Sequence, residues 1–423
     1  MRDLDDLDIV VIGAGAAGLS LVRRLAAEPG MPGVTPSVAL LQPVRTSAAS
    51  ERTWCYWDTP DGPLDRMVCA QWERLRVRGP DSRAVTGRAE GMRYKMIRSP
   101  AFEACVAREL AAVPEVRRMD AAVEEVRQDE AGADVVVRGS DGRLTRLRAR
   151  WVFDSRPPRH LPAARTTLLQ HFRGWFVRTE RDAFDPSTVD LMDFRVPQPR
   201  GGGVSFGYVL PTSRREALVE YTEFSAKPLT TATYESLLSH FTEHVLGLGS
   251  FSVVGAEQGV IPMTDAVFDR RAGPSMFRIG AAGGATRPAT GYTFATIQRQ
   301  SVDIARAYRA GRTPVPSAPH RARHLAMDAV MLRALASGRV NGAEFFIELF
   351  RRNPFDRVIR FLDGRTSFRE ELALGSTTPI LPMLRSAAEL PLLKRRDAVD
   401  EDDRDHGNDG NNGNNGDDGN EDR

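Results

Sequence analysis

The stretch Asp8-Ile-Val-Val-Ile-Gly-Ala-Gly-Ala-Ala-Gly-Leu-Ser-Leu-Val-Arg-Arg-Leu25 constrains the fold more than any other part of the chain. Its pattern predicts a short apolar strand over 9–12, a turn with Gly13, Gly15 and Gly18 at G-x-G-x-x-G spacing, and then a helix. Such a unit suits the diphosphate of a dinucleotide. The first glycine permits the tight turn, the second admits backbone close to the phosphates, and the third lets helix and strand pack together beneath a positive helix N-terminus. The strand before and the helix after give the spacing this meaning; with no ligand the same residues make a tight strand-to-helix turn.

At 423 residues, 41% hydrophobic and 27% charged, the chain has room for two packed units with real cores. No run approaches the roughly 18 apolar residues of a membrane span, and the first eight residues are acidic without a signal-peptide core. The expected location is therefore the cytoplasm, in solution or against a membrane surface. Cys55, Cys69 and Cys105 form no C-x-x-C pair and have no histidine at zinc spacing, so neither a disulfide framework nor a metal site is expected. Residues 397–423 hold 11 acidic and 2 basic side chains, leaving 56 basic against 45 acidic in the rest. That arginine-rich body either attracts anionic head groups and phosphates or is a solvated surface. The Asn/Gly/Asp tail has too little apolar surface to order itself.

Val38-Ala-Leu-Leu41 predicts a second strand, and Gln42 follows where dinucleotide folds usually place an acid against the ribose hydroxyls. An amide accepts a hydrogen bond but lacks the carboxylate's charge and fork geometry, so a weaker contact is expected. Glu51-Arg-Thr-Trp-Cys-Tyr-Trp-Asp58 reads as an aromatic loop whose ring faces either attract a cation or anchor one domain on the other. A helix capped by Ser99, with Pro100 at its first position, is expected to run to about Val113. Residues 68–90 read as an irregular strand pair and 119–153 as short strands around glycine turns. Trp151-Val-Phe-Asp154 is a strand ending in a carboxylate.

From about residue 160 the pattern becomes strand-rich, and consecutive strands with turn residues between them predict an antiparallel sheet. In Ala217-Leu-Val-Glu-Tyr-Thr-Glu223, period two puts Glu220 and Thr222 on one face and Tyr221 and Glu223 on the other, so one carboxylate points to the apolar side. A carboxyl in apolar surroundings has a raised pKa and can act as a general acid; an arginine partner would make it structural instead. A second glycine-rich strand, turn and helix follow at 276–310, carrying Gly280, Gly283, Gly284, Pro288, Thr290, Gly291 and Tyr292. The segment from Ile380 to Arg396 is apolar and then basic, fitting either a membrane surface or a packed helix.

In their order these parts resemble the FAD-dependent flavoproteins. Within that group the chain is similar to the bacterial lycopene cyclases: the Trp54 segment, Leu191-Met-Asp193, Gly207-Tyr-Val-Leu-Pro211, Leu218-Val-Glu220 with Thr222, Arg287-Pro-Ala-Thr-Gly-Tyr292, and Phe345-Phe346 followed by Phe361-Leu362. The resemblance covers about residues 8–365 and rests chiefly on Leu-Met-Asp, the Glu-x-Thr strand and the Pro-x-Thr-Gly-Tyr turn. It implies an α/β fold: a Rossmann-type FAD-binding domain (1–155 and 256–312) interrupted by an antiparallel substrate domain (156–255) and followed by a helical C-terminal segment (313–396), to which the composition adds a disordered tail (397–423). It also implies an isomerase that uses reduced FAD, with NAD(P)H as reductant, to close the acyclic ends of lycopene into β-ionone rings without net redox change.

Carried over onto this chain, the resemblance makes Glu220 the acid and leaves the final proton acceptor open, because Tyr221 stands where relatives often have a second acid; Asp193 is a candidate. Gly13, Gly15, Gly18, Gln42, Asp154, Gly280, Gly283, Gly284, Pro288, Thr290, Gly291 and Tyr292 would hold the cofactor. Trp54, Trp57, Trp175, Phe206, Tyr208 and Thr222 would line the substrate pocket. Ala281 follows Gly280 where many flavoproteins carry an aspartate, which predicts modest flavin affinity. Implied partners are an acyclic carotenoid, a membrane surface and other carotenoid-forming enzymes, with no nucleic acid. A hydroxylase or prenyl reductase of the same fold, consuming NAD(P)H at every turnover, is the competing reading.

Overall fold

The computed structural model describes residues 2–26, 35–43 and 51–397. Residues 9–12 pair in parallel with 38–41 on one side and with Trp151 to Asp154 on the other, placing the first glycine turn at the end of a central strand. Alternation along that strand feeds two cores. Ile9 and Val11 join Leu21, Val22, Ile297 and Ile304 from the helices Ala16–Ala26 and Phe294–Arg309. Val10 and Ile12 face a meander of the strands Val116–Asp129, Gly132–Gly139 and Leu144–Asp154. Met276–Arg278 adds to the far side of Leu144–Asp154, bringing the second glycine segment beside the first.

The second sheet has seven strands, in the order Phe251–Thr264, Thr167–Thr179, Glu216–Ser225, Val204–Pro211, Thr188–Asp193, Arg74–Arg78, Ala84–Arg88. Three features differ from expectation. Arg74–Arg78 and Ala84–Arg88, assigned above to the first domain, extend this sheet, and Arg74–Arg78 runs parallel to Thr188–Asp193. The expected boundary at 255/256 falls inside Phe251–Thr264, which pairs with Thr167–Thr179 along its length, so the sheet continues to Thr264. Finally, both faces are covered. Helix Gly342–Arg352 packs Phe346 and Ile347 toward Leu210, Leu218 and Phe224, while Thr231–His240 packs Tyr234 and Leu238 toward Val209 and Val219. Glu220 and Glu223 are consequently both buried, where alternation had suggested one.

The aromatic segment read as a loop is the strand Thr53–Asp58, paired with Arg93–Arg98, which also pairs with Ala70–Trp72. Ser99 is the first residue of helix Ser99–Leu110 rather than its cap; its Oγ instead accepts from the Arg52 N–H at 3.0 Å. Helices Ala322–Ala336, Phe355–Leu362, Phe368–Gly375 and Ile380–Glu389 complete the C-terminal segment. Apart from Asp397, the acidic tail lies outside the described residues.

Candidate active site

The two glycine-rich turns meet around the N-terminus of helix Ala16–Ala26. Gly13 has φ +95°, a conformation that L side chains rarely adopt. A Cβ on Gly18 would lie 1.9 Å from the Gly13 carbonyl oxygen, so the helix can approach the turn only through a glycine. Gly15 is exposed, and a Cβ there would meet nothing within 4 Å, so its backbone stands open at the helix end. Gly280, with φ +64°, approaches the Ala17 side chain so closely that a Cβ would sit 2.8 Å away, and Gly283 packs as tightly on the Arg278 carbonyl. Gly284 closes that turn with φ +77°.

This cradle of open backbone fits a dinucleotide diphosphate. Replacing Gly18 with Ala is expected to displace the helix N-terminus and lower dinucleotide affinity about tenfold, measured by ligand titration of the purified variant. Gln42 stands where the ribose acid would be, but its Oε1 accepts from the Ala14 N–H at 2.7 Å, inside the glycine turn. Asp154 is held by Arg156, Nη2 to Oδ2 2.7 Å, and its carbonyl accepts from the Ile279 N–H, tying the strand ends together.

The turn from Arg287 to Tyr292 lies where this domain meets the second sheet. Gly291, at φ +70°, leaves room for Gln170, whose Oε1 would be 2.2 Å from a Cβ. That amide oxygen is buried without a hydrogen-bond partner, an acceptor open to a ligand N–H. Pro288 is buried in the turn, and the Thr290 Oγ1 accepts from the Tyr292 N–H at 3.4 Å.

Strand register assembles the rest. Tyr208 is opposite Glu220, Glu220 opposite Gly174, and Gly174 opposite Glu257, so these four residues form one row on one face. Phe206 lies opposite Thr222 in the next row on that face. Glu220 is 8% exposed, and burial, reinforced by the negative charge of Glu257, pushes its carboxyl up to about 8; the Thr222 hydroxyl, donating to Oε1 at 2.5 Å, opposes that rise. No cation is among these influences. The Tyr94 and Tyr208 hydroxyls share a hydrogen bond of 2.5 Å, and Tyr292 approaches Tyr94 at 3.2 Å. Trp57 packs against Tyr94 with ring centroids 4.2 Å apart. A carboxyl whose proton is held up to about pH 8 therefore lies beside a cluster of aromatic side chains, an arrangement suited to giving up a proton and stabilising the resulting cation.

Some expected residues lie elsewhere. Alternation along Thr53–Asp58 sends Trp57 to this site but Trp54 into the nucleotide-domain core, stacked on Phe294 at 5.3 Å. Trp175 neighbours Gly174 in sequence and so takes the opposite face, against Val219 and Tyr234. Asp193 is opposite Gly207, itself opposite Tyr221, which also puts it on the face away from Glu220. There Asp193 is fully buried and held by Arg195, Nη2 to Oδ2 2.6 Å. Trp175→Leu should therefore lower unfolding stability by about 1–3 kcal/mol while leaving turnover within twofold, as measured by denaturant melts and product assays.

Sequence reasoning missed Tyr94 and Gln170, and it also missed Glu257. Its signal is present in Gly255-Ala-Glu-Gln-Gly259, where period two flanks one carboxylate with two glycines on the same face, thinning the sheet around it.

A family model described as lycopene cyclase protein matches residues 8–388. The chain belongs to the lycopene cyclase family. Among solved structures, this lycopene cyclase family member is similar to a flavoprotein/dehydrogenase from Cytophaga hutchinsonii, at 13% identity over 92% of this chain and 99% of that one, TM-score 0.58. A p-nitrophenol 4-monooxygenase from Pseudomonas putida matches at 15% identity over 93% and 100%, TM-score 0.54. A geranylgeranyl bacteriochlorophyll reductase-like protein from Thermoplasma acidophilum matches at 12% over 91% and 96%, TM-score 0.53. These likenesses show the Rossmann-type fold with its second sheet. No curated protein sequence matches.

Proposed function

We propose that this family member is a lycopene β-cyclase, closing the acyclic ends of lycopene or a related carotenoid into β-ionone rings with no net redox change. The observation that carries the reading is Glu220, a buried carboxyl with no cation acting on it, paired across the sheet with Tyr208, whose hydroxyl meets that of Tyr94. With Thr222 donating to Oε1, Oε2 is the oxygen left to carry the acidic proton. That proton adds to the terminal double bond, and the neighbouring double bond attacks the cation and closes the ring. Loss of a ring proton then restores neutrality. Trp57, Tyr94, Tyr208 and Tyr292 offer ring faces to the positive charge and exclude water that would trap it.

FAD is the cofactor that the Gly13–Gly15–Gly18 and Gly280–Gly283 turns fit, with the open Gln170 amide oxygen near the domain junction. Reduced by NAD(P)H, it would supply negative charge that favours a cationic reaction without itself turning over.

The substrate's insolubility calls for contact with a bilayer. No helix among the described residues is long and apolar enough to cross one. Helix Ile380–Glu389 instead exposes Ile380, Leu381 and Leu384 on one face, followed by Leu392 at 82% exposure, with Arg385 and Lys394 also exposed. That pattern suits shallow insertion among anionic head groups. Leu381→Asp with Leu384→Asp should reduce binding to vesicles containing anionic lipid by about tenfold or more, read by flotation, with turnover of detergent-solubilised lycopene retained.

Expression in a lycopene-accumulating bacterial host tests the reading directly. Ring-bearing carotene is the expected product. Unchanged lycopene from a well-expressed, flavin-loaded protein, or NAD(P)H consumed in step with an oxygenated or saturated product, favours the hydroxylase or reductase reading instead.

A further inference from the structure

Glu257 is a second buried carboxylate, with no part in the protonation and ring closure assigned to Glu220. It lies two strands from Glu220 in the same row, and the residue between them, Gly174, has no side chain. Adjacent strands are about 4.8 Å apart, so the two backbones are roughly 9.6 Å apart, a span that two glutamate side chains can narrow from both sides. Glu220 does so: its Oε2 lies 3.5 Å from the position a Cβ on Gly174 would take. On the other side, Glu257 Oε2 accepts from the Thr53 hydroxyl at 2.7 Å.

The charged surroundings of the two acids differ. Burial raises the Glu257 pKa above its ordinary value, and the Thr53 hydrogen bond, then Arg98 and Arg52, oppose that rise while Glu51 adds to it; the Cys55 thiol and Glu220 are also near. Glu220 has no such cations. A single proton shared by the pair therefore resides on Glu220, and the negative charge on Glu257.

Building on the cyclase reading, we propose that Glu257 is the base of an acid–base dyad with Glu220, taking the proton that leaves the closed ring, and that Gly174 keeps open the gap through which it returns. The balance is simple. The Glu220 O–H bond breaks as a C–H bond forms on the substrate, and the alkene electron pair makes the ring C–C bond. A ring C–H bond then breaks, its electrons become the ring double bond, and its proton goes to the Glu257 carboxylate. Transfer from Glu257 to ionised Glu220 resets the site, the carboxyl proton exchanging with solvent before the next turnover, with one proton in, one out, and no oxidant or reductant used.

The test uses flavin-loaded full-length protein in D2O, comparing wild type with Glu257→Gln, Glu257→Asp and Gly174→Ala. Glu257→Gln is expected to form ring product about 10²-fold more slowly while recovered lycopene gains deuterium, because protonation persists and reverses through Glu220. Glu257→Asp should regain part of the rate. Gly174→Ala, which puts a methyl 2.8 Å from Leu218 Cδ1 and 3.5 Å from Glu220 Oε2, should slow turnover with KM little changed. An independent readout is the pH dependence of thermal unfolding. Removing the Glu257 charge should move the step caused by Glu220 to lower pH by about one unit.

Turnover of Glu257→Gln within twofold of wild type, or unlabelled recovered lycopene alongside slow turnover, would overturn the base assignment. A wild type that makes no ring at all refutes the cyclase reading and with it the base role; an unmoved unfolding step refutes the coupling of the two carboxyls in either case.

Discussion

Glu220→Gln is expected to leave a folded, flavin-loaded protein that forms ring product about 10²–10⁴-fold more slowly. The amide keeps the shape and can still accept from Thr222, so the sheet around it has no reason to rearrange; only the transferable proton is lost. Wild-type turnover should itself fall as pH rises through about 8, because the acid ionises there.

The same shift governs stability. The folded carboxyl titrates near 8 and its ordinary value is 4.5, so between these values the folded state holds a proton that the unfolded chain has released. Its stabilising contribution is full below 4.5 and is lost as pH rises to about 8. Glu220→Gln should therefore gain stability relative to wild type across that window. Melting curves taken at pH 5 and pH 8, beside product assays, check both statements; equal turnover, or a stability difference that does not change with pH, would contradict them.

Arg287→Met is expected to cost about 3–5 kcal/mol of unfolding stability. Arg287 is 3% exposed and makes two hydrogen bonds of 3.1 Å to Asp328, which is 1% exposed. It also donates to the Leu362 carbonyl at 3.0 Å and lies over the Phe361 ring. Removing the guanidinium leaves a buried carboxylate unpaired and cuts the tie between the turn ending at Tyr292 and the C-terminal helices. Adding Asp328→Leu should restore most of the loss, since a buried pair replaced by apolar groups is nearly neutral while a broken one is not. Denaturant unfolding of the two variants measures this; a double variant no more stable than the single one would show that the turn, not the ion pair, bears the cost.

The parts of the fold with strong local signals were legible in the sequence. The strand, glycine turn and helix at 9–25 need no distant partner to be recognised, because Gly13 and Gly18 answer to backbone sterics within the unit. The Glu-x-Thr strand likewise put Glu220 and Thr222 two residues apart on one face, and the structure adds the hydrogen bond between them.

What could not be read locally was which face meets what. Trp175, Asp193 and Glu220 all sit on strands of the same sheet, and only the register with Gly174 and Gly207 separates them into opposite faces. Glu257 was overlooked for a related reason: it follows Glu220 by 37 positions and joins it only through the pairing of Phe251–Thr264 with Thr167–Thr179. The two strands at 74–88 also joined the second sheet through a parallel pairing that their own pattern does not specify.

The most direct test of the central claim is to supply lycopene to the reduced, flavin-loaded protein in D2O without oxygen and analyse the product by mass and nicotinamide balance. The expected product is a ring-bearing carotene carrying one deuterium per ring, otherwise isomeric with lycopene, with no NAD(P)H consumed per turnover. A product differing from lycopene by oxygen or by added hydrogen, formed in step with nicotinamide oxidation, would contradict it.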